Sequence, residues 1–82
     1  MERVIYPNPA HDKINIEIKN RITGICKLEI LSTTGVNVWT TEYNCEERKH
    51  EAYISNLTNG MYYVRINFNN EYSFISKLAI IR

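Results

Sequence analysis

Histidine and cysteine are the side chains of this chain best suited to metal binding or nucleophilic catalysis, and there are two of each. Zinc takes three or four closely organised histidine, cysteine or carboxylate ligands. A cysteine nucleophile needs a histidine base and a third group that orients it. His11 and His50 are far apart in the sequence, and the spacing suggests neither such a cluster nor an orienting group. We therefore expect no metal site, no catalytic residue and no enzyme activity.

The two cysteines, Cys26 and Cys45, form no Cys-x-x-Cys motif, and two are too few for a disulfide framework. A chain reversal near Thr34-Gly35 would place Cys26 opposite residues 42–45 of an antiparallel neighbour. A cross-strand disulfide could then form in an oxidising periplasm. The alternative is one buried thiol and one loop thiol, and the sequence leaves this choice open.

Length and composition indicate a single domain spanning residues 1–82. With 44% hydrophobic residues, the chain can bury one modest core. The net charge of +1 and the scattered basic residues predict no nucleic-acid partner. No apolar run approaches the roughly 20 residues of a membrane-spanning helix, and residues 1–6 lack the apolar stretch of a signal peptide. Because the chain has no glycine-rich phosphate loop, we expect no cofactor.

Apolar and polar residues alternate with a period of two along most of the chain, and no helical period is visible. In residues 13–19, for example, the isoleucines point to one side and the polar residues to the other. The predicted strands are residues 3–6, 13–19, 25–31, 36–40, 49–54, 61–68 and 72–81. The strand at 49–54 has little apolar content and is expected at a sheet edge. Seven strands without a helix predict an all-β, immunoglobulin-like antiparallel β-sandwich.

Leu57, Gly60 and Tyr62 form the most distinctive local motif. In immunoglobulin-like sandwiches, a tyrosine at the start of a late strand often bonds through its hydroxyl to an upstream backbone group, an arrangement called the tyrosine corner. We expect this role for Tyr62, with Gly60 supplying an unusual φ at the strand entry and Leu57 filling the core beneath. Asn69-Asn70 is expected to form a short hairpin turn, because asparagine tolerates positive φ.

Aromatic residues raise a second functional possibility, a sugar-binding face. Tyr63 is expected opposite Tyr62, and Trp39 opposite Val36 and Val38, so that both rings would be exposed. Aromatic residues at strand spacing more often pack in the core or pair across strands. An immunoglobulin-like accessory module that binds glycan or protein at the cell surface therefore stays as the alternative function.

Three segments, taken in order, carry a family resemblance. They are Tyr6-Pro7-Asn8-Pro9, Leu57-x-x-Gly60-x-Tyr62, and Lys77-Leu78 followed by an apolar run to Arg82. With the strands between them, these segments resemble the type A C-terminal sorting domain of the type IX (Por) secretion system of Bacteroidetes. The resemblance covers roughly residues 6–82, and the sequence departs from the family pattern at the Thr58-Asn59 and Ser32-Thr33-Thr34 turns.

The resemblance implies that the chain is a secretion signal. Such a domain is the C-terminal part of a larger secreted protein, so this chain is expected to be a piece excised from one. The cargo would pass through the periplasm in transit, be recognised by the type IX translocon, and reach the outer-membrane surface or the medium. A sortase-type peptidase usually removes the domain. The signal residues implied are Tyr6, Pro7, Asn8, Pro9, Leu57, Gly60, Tyr62, Lys77, Leu78 and Arg82.

The last strand is the expected recognition element. Its basic ends, Lys77 and Arg82, would offer positive charge to the translocon, and its edge would offer unpaired backbone groups. We therefore expect residues 60–82 to carry the signal. The same exposed edge would permit a weak homodimer.

Overall fold

The computed structural model describes residues 3–20 and 22–82, and this part of the chain folds into seven β-strands. In chain order they are β1 (Arg3–Tyr6), β2 (Lys13–Ile18), β3 (Ile25–Ser32), β4 (Asn37–Asn44), β5 (Lys49–Tyr53), β6 (Gly60–Phe68) and β7 (Tyr72–Ile80). No helix in this part of the chain is long and apolar enough to cross a membrane.

The strands form two antiparallel sheets packed as a sandwich. The three-stranded sheet has the order β1-β2-β5, and the four-stranded sheet has the order β4-β3-β6-β7. The predicted all-β, immunoglobulin-like sandwich is confirmed, and β5 lies at a sheet edge as expected. The four edge strands are therefore β1 and β5 in one sheet and β4 and β7 in the other.

The core lies between the sheets and is built largely from alternate residues of the central strands. In β6 the buried residues alternate with half-buried neighbours, and they are Tyr62, Val64, Ile66 and Phe68. From the other sheet, β2 supplies Ile14, Ile16 and Ile18. Burying one side chain of this kind contributes about 1.5–3 kcal/mol, so the period-two pattern sets which face of each strand turns inward.

The orientation of β4 corrects one expectation. Trp39 pairs with Ile30 and packs against the core, whereas Val36 and Val38 are 59% and 39% exposed. The expectation of an exposed Trp39 ring is wrong, because an inward indole buries more apolar surface than an inward valine. Tyr63 is half-buried on the outer face of the same sheet, so the two rings do not share a surface.

A disulfide joins Cys26 and Cys45, whose Cα atoms are 5.1 Å apart. β4 extends to Asn44, beyond its predicted end at residue 40, and this brings Cys45 back to the start of β3. The Cys45 amide donates to the Gly24 carbonyl at 2.9 Å, and both cysteines are buried. The disulfide, one of the two alternatives left open by the sequence, thus closes the side where the chain crosses from β4 to β5.

Gly24 lies against the turn between β6 and β7. Its φ is 105°, and a Cβ atom at this position would lie 2.5 Å from Asn69 Oδ1, so that a larger residue would displace the Asn69 side chain. In that turn Asn69 and Asn70 have φ values of 52° and 60°, as predicted. The backbone amide of Asn69 donates to the Ile25 carbonyl at 2.8 Å.

Candidate functional site

The Asn8 side chain bonds to the backbone of β7. Its Nδ2 donates to the Lys77 carbonyl at 3.1 Å, and its Oδ1 accepts from the Ala79 amide at 3.0 Å. One donor and one acceptor at this spacing reproduce what a peptide group of a neighbouring strand would offer. Asn8 therefore covers the outer edge of β7 beside residues 77–79. The two X–Pro peptide bonds of this segment, Tyr6–Pro7 and Asn8–Pro9, are cis.

Ala10 and His11 extend this contact toward the end of the chain. Ala10 is fully buried, and it forms a parallel bridge with Ile80. Its amide donates to the Ala79 carbonyl at 2.8 Å, and its carbonyl accepts from the Ile81 amide at 2.9 Å. The His11 Nδ1 donates to the Ile81 carbonyl at 2.5 Å. We call residues 8–12 the N-terminal arm, because they add a short parallel strand-like segment to one half of the β7 edge.

Arg82 ties the end of β7 to two other segments. Its guanidinium donates to Asp12 Oδ1 at 2.8 Å and to the Ile54 carbonyl at 2.8 Å, and it also donates to the Leu57 carbonyl. The Arg82 amide donates to Asn59 Oδ1 at 3.2 Å. The charge of Arg82 is thus paired within the domain, and of the two basic ends of the strand only Lys77 presents its charge outward.

The Leu57–Tyr62 motif forms the predicted tyrosine corner. The Tyr62 hydroxyl donates to the Thr58 carbonyl at 2.7 Å, and Leu57 is buried. Gly60, at the start of β6, has φ 155°, which L side chains rarely adopt. Because Arg82 binds the Leu57 carbonyl and Asn59, the corner, the arm and the end of β7 form one connected unit.

Lys77 and Leu78 are neighbours with opposite orientations. Leu78 is fully buried and pairs with Tyr62, whereas Lys77 lies on the outer face opposite Tyr63. Within residues 3–20 and 22–82, Lys77 forms no ion pair. Of these two neighbours, Lys77 is therefore the one whose side chain is available to a partner, and Leu78, paired with Tyr62, holds the strand in place.

The histidines and cysteines, the residues best suited to catalysis, lie apart from one another or are bonded to other groups. His50 stacks on Tyr43 with ring centroids 4.0 Å apart, far along the chain from His11 on the arm. Both cysteines are in the disulfide. The described part of the chain contains no group of three or more histidine, cysteine or acidic residues that could hold a metal ion.

Glu29 forms a polar cluster that sequence reasoning missed. Only 6% exposed on the outer face of β3, it accepts from Arg65 Nε at 3.1 Å, Asn67 Nδ2 at 3.0 Å and Asn37 Nδ2 at 2.8 Å. The bond from Arg65 and its charge hold the pKa of Glu29 below the ordinary value of 4.5, against the effect of burial. Glu29 and Arg65 are directly paired across β3 and β6, and only a known strand register would have revealed this.

The Asn8→Ala substitution tests whether the arm is held by its side-chain amide. Loss of two exposed hydrogen bonds is expected to lower the free energy of unfolding by about 1–2 kcal/mol. The Ala79 amide, which donates to Asn8, should then exchange with deuterium faster, and this can be followed by NMR. Asn56→Ala, at an exposed turn position, is the matched control. Unchanged protection of the Ala79 amide in Asn8→Ala would show that the arm is held without Asn8.

The chain is similar to a known protein family. A protein-family model described as "Secretion system C-terminal sorting domain" matches residues 4–81. No curated protein matches the chain. The matched region contains most of the arm–β7 unit, including Asn8, the tyrosine corner and Lys77.

Proposed function

Because this chain belongs to the family of secretion system C-terminal sorting domains, we propose that it directs a cargo protein across the outer membrane through the type IX secretion system. The family consists of type IX sorting signals, and a signal of this kind implies export to the cell surface or the extracellular space. The observation that carries the proposal is the match over residues 4–81, which takes in every strand except the first residue of β1.

The proposed partners follow from this role. The cargo lies N-terminal to the domain, the type IX translocon recognises the folded domain, and a sortase-type peptidase cleaves upstream of it. The chain itself is then the substrate of that cleavage and performs no chemistry. The protein would pass through the periplasm before it reaches the surface, and the buried disulfide is consistent with an oxidising compartment.

We further propose that residues 60–82 carry the recognition signal. The outward charge of Lys77 supports this, since it is free to meet a partner. Gly60, Tyr62 and Leu78 shape the backbone on which Lys77 lies. We assign a supporting role to Tyr6–Pro9 and Leu57 outside this range and to Arg82 within it, because Asn8 and Arg82 bind other parts of the same unit.

A reporter-export assay tests the proposed function. A Sec signal, a fluorescent protein and a linker are placed before residues 1–82, and the fusion is expressed in a Bacteroidetes host. We expect fluorescence at the surface or in the medium, and its loss in a strain that lacks the translocon. A folded domain with reporter trapped in the periplasm of both strains would instead favour the glycan- or protein-binding module.

Two variants test the signal residues in the same assay. Lys77→Ala is expected to reduce export without a change in stability, because its ammonium group makes no ion pair within the described chain. Removal of Arg82 is expected to reduce export together with stability, since three backbone or carboxylate acceptors lose their donor. If both variants were exported like the unsubstituted domain, residues 77–82 would not belong to the signal.

A further inference from the structure

The outer edge of β7 is divided into a covered half and an open half. In an antiparallel sheet, residues alternate between bonding one neighbour and facing the other side. The Ala79 amide and carbonyl and the Lys77 carbonyl face away from β6, where Ala10 and Asn8 bind them. By the same alternation the amide and carbonyl groups of Ser73 and Ile75 and the Lys77 amide also face outward. None of these five backbone groups has a hydrogen-bond partner within residues 3–20 or 22–82.

The open half of β7 lacks the features that protect the other three edges. β1 has four residues and is followed by Pro7, and β5 carries the Lys49 and Glu51 charges along five residues. On β4, Asn37 Oδ1 already accepts from the Trp39 amide at 3.1 Å. Residues 72–76 of β7 contain neither a charge nor a proline, and Ile75 is 58% exposed. Edge strands without such protection accept further strands.

Two cations that form no ion pair with the described residues flank this open half. The Lys77 side chain lies on the outer face at one end. On the inner side, the Arg3 guanidinium lies 3.6 Å above the Phe74 ring, and its buried Nε has no hydrogen-bond partner among the described residues. Neither Lys77 nor Arg3 forms an ion pair within residues 3–20 and 22–82. Side chains of an added strand alternate between the two faces, so such a strand could bring a carboxylate to each cation.

We infer that the open half of β7, residues 73–77, is the docking site for an extended segment of a translocon protein that carries acidic residues on both faces. The segment adds a fifth strand to the four-stranded sheet, through main-chain bonds to Ser73, Ile75 and Lys77. Main-chain pairing then supplies affinity, and the contacts to Lys77, Arg3 and Ile75 supply specificity. This inference rests on the proposed sorting function and names the surface through which it acts.

A second copy of this chain fits the same edge poorly. Two β7 strands related by a two-fold axis at Ile75 would pair residue 73 with residue 77 and residue 71 with residue 79. The Ala79 backbone is already bonded to Asn8 and Ala10, so the partner's β6–β7 turn would collide with the N-terminal arm. A single extended segment needs only to end, or to bend away, beside Asn8.

The experiment blocks the open edge without removing the bonds between β6 and β7. Ile75→Pro deletes one outward amide, and proline is tolerated in edge strands where the amide faces solvent. Ile75→Thr is the matched control, because it keeps the amide and the β-branch. In the reporter-export assay, Ile75→Pro is expected to lower export by about tenfold relative to Ile75→Thr. Lys77→Glu should also lower export, whereas Lys77→Arg should not.

Further measurements decide what each outcome means. Urea unfolding establishes that each variant is folded, and Ser73→Pro replaces Ile75→Pro if the latter is not. Export of folded Ile75→Pro or Lys77→Glu at the level of its control would overturn the docking site while leaving the sorting function intact. Failure of the unsubstituted domain to export the reporter would instead overturn the proposed function. A dimer seen by light scattering and abolished by Ile75→Pro would assign the edge to a second copy and likewise overturn the inference.

Discussion

Reduction of the Cys26–Cys45 disulfide is expected to lower the free energy of unfolding by about 3 kcal/mol. The two cysteines are separated by 19 positions in the sequence, and the bond between them restricts the unfolded chain. In the folded state it also holds the residues that lead from β4 to β5, an edge strand that pairs with β2. Urea unfolding with and without a thiol reductant measures the difference.

The Cys26→Ala/Cys45→Ala double variant separates the disulfide from other effects of the reductant. We expect it to be about as unstable as the reduced protein and to show no response to reductant. The prediction would be contradicted if the urea midpoint of the unsubstituted protein stayed the same after both cysteines were shown to be reduced. That result would mean that the close contact of Gly24 and Cys45 is maintained by packing alone.

Glu29→Ala is expected to lower the free energy of unfolding by about 3 kcal/mol. The substitution leaves the donors of Arg65, Asn67 and Asn37 directed at the place where the carboxylate was. The loss is therefore the cost of a half-buried cation and two amides without their acceptor. Glu42→Ala, on the same face but exposed, is the matched control and should be nearly neutral. A Glu29→Ala midpoint equal to that of Glu42→Ala would contradict the prediction.

The pKa of Glu29 also gives this cluster a pH dependence. Because the folded-state pKa of Glu29 lies below the ordinary value of 4.5, the cluster stabilises the protein fully above that value. As the pH falls below 4.5 and through the folded-state pKa, protonation removes this contribution. The urea midpoint of the unsubstituted protein should therefore decrease as the pH is lowered through that range. The urea midpoint of Glu29→Ala should decrease less. Parallel pH profiles for the two proteins would show that other carboxylates are responsible.

The fold could be predicted from the sequence because burial in a sandwich follows a period of two. Ile14 and Ile16, or Val64 and Ile66, alternate with polar or half-buried residues, so strand positions and inward faces can be read from a short window. The tyrosine corner could be predicted for the same reason, since Tyr62 and Thr58 are neighbours in the sequence. Trp39 shows the limit, because an indole and two valines compete for the inward face of an edge strand.

The arrangement of the site depends on contacts between distant residues, which a single sequence does not reveal. Asn8 and Ala79, or Arg82 and Asp12, meet only because the arm that follows β1 lies along the end of β7. A sequence pattern could not show that Arg82 forms an ion pair with Asp12 inside the domain, whereas Lys77 forms none among the described residues. The Glu29 cluster likewise depends on the pairing of β3 with β4 and β6.

The pairing of the N-terminal arm with the end of β7 also imposes an order on folding. Contacts such as Asn8 with Ala79 span 71 positions, so they have nearly the highest contact order that an 82-residue chain allows. Long loops must close before such contacts form, and this slows folding. Asn8, Ala10 and His11 find their hydrogen-bond partners in residues 77–81, so a chain made from its N-terminus cannot form these contacts until its last residues are present. Closure of this side of the sandwich must therefore wait for the last strand, so a partner that recognises the closed form would not bind a chain that lacks residues 77–81.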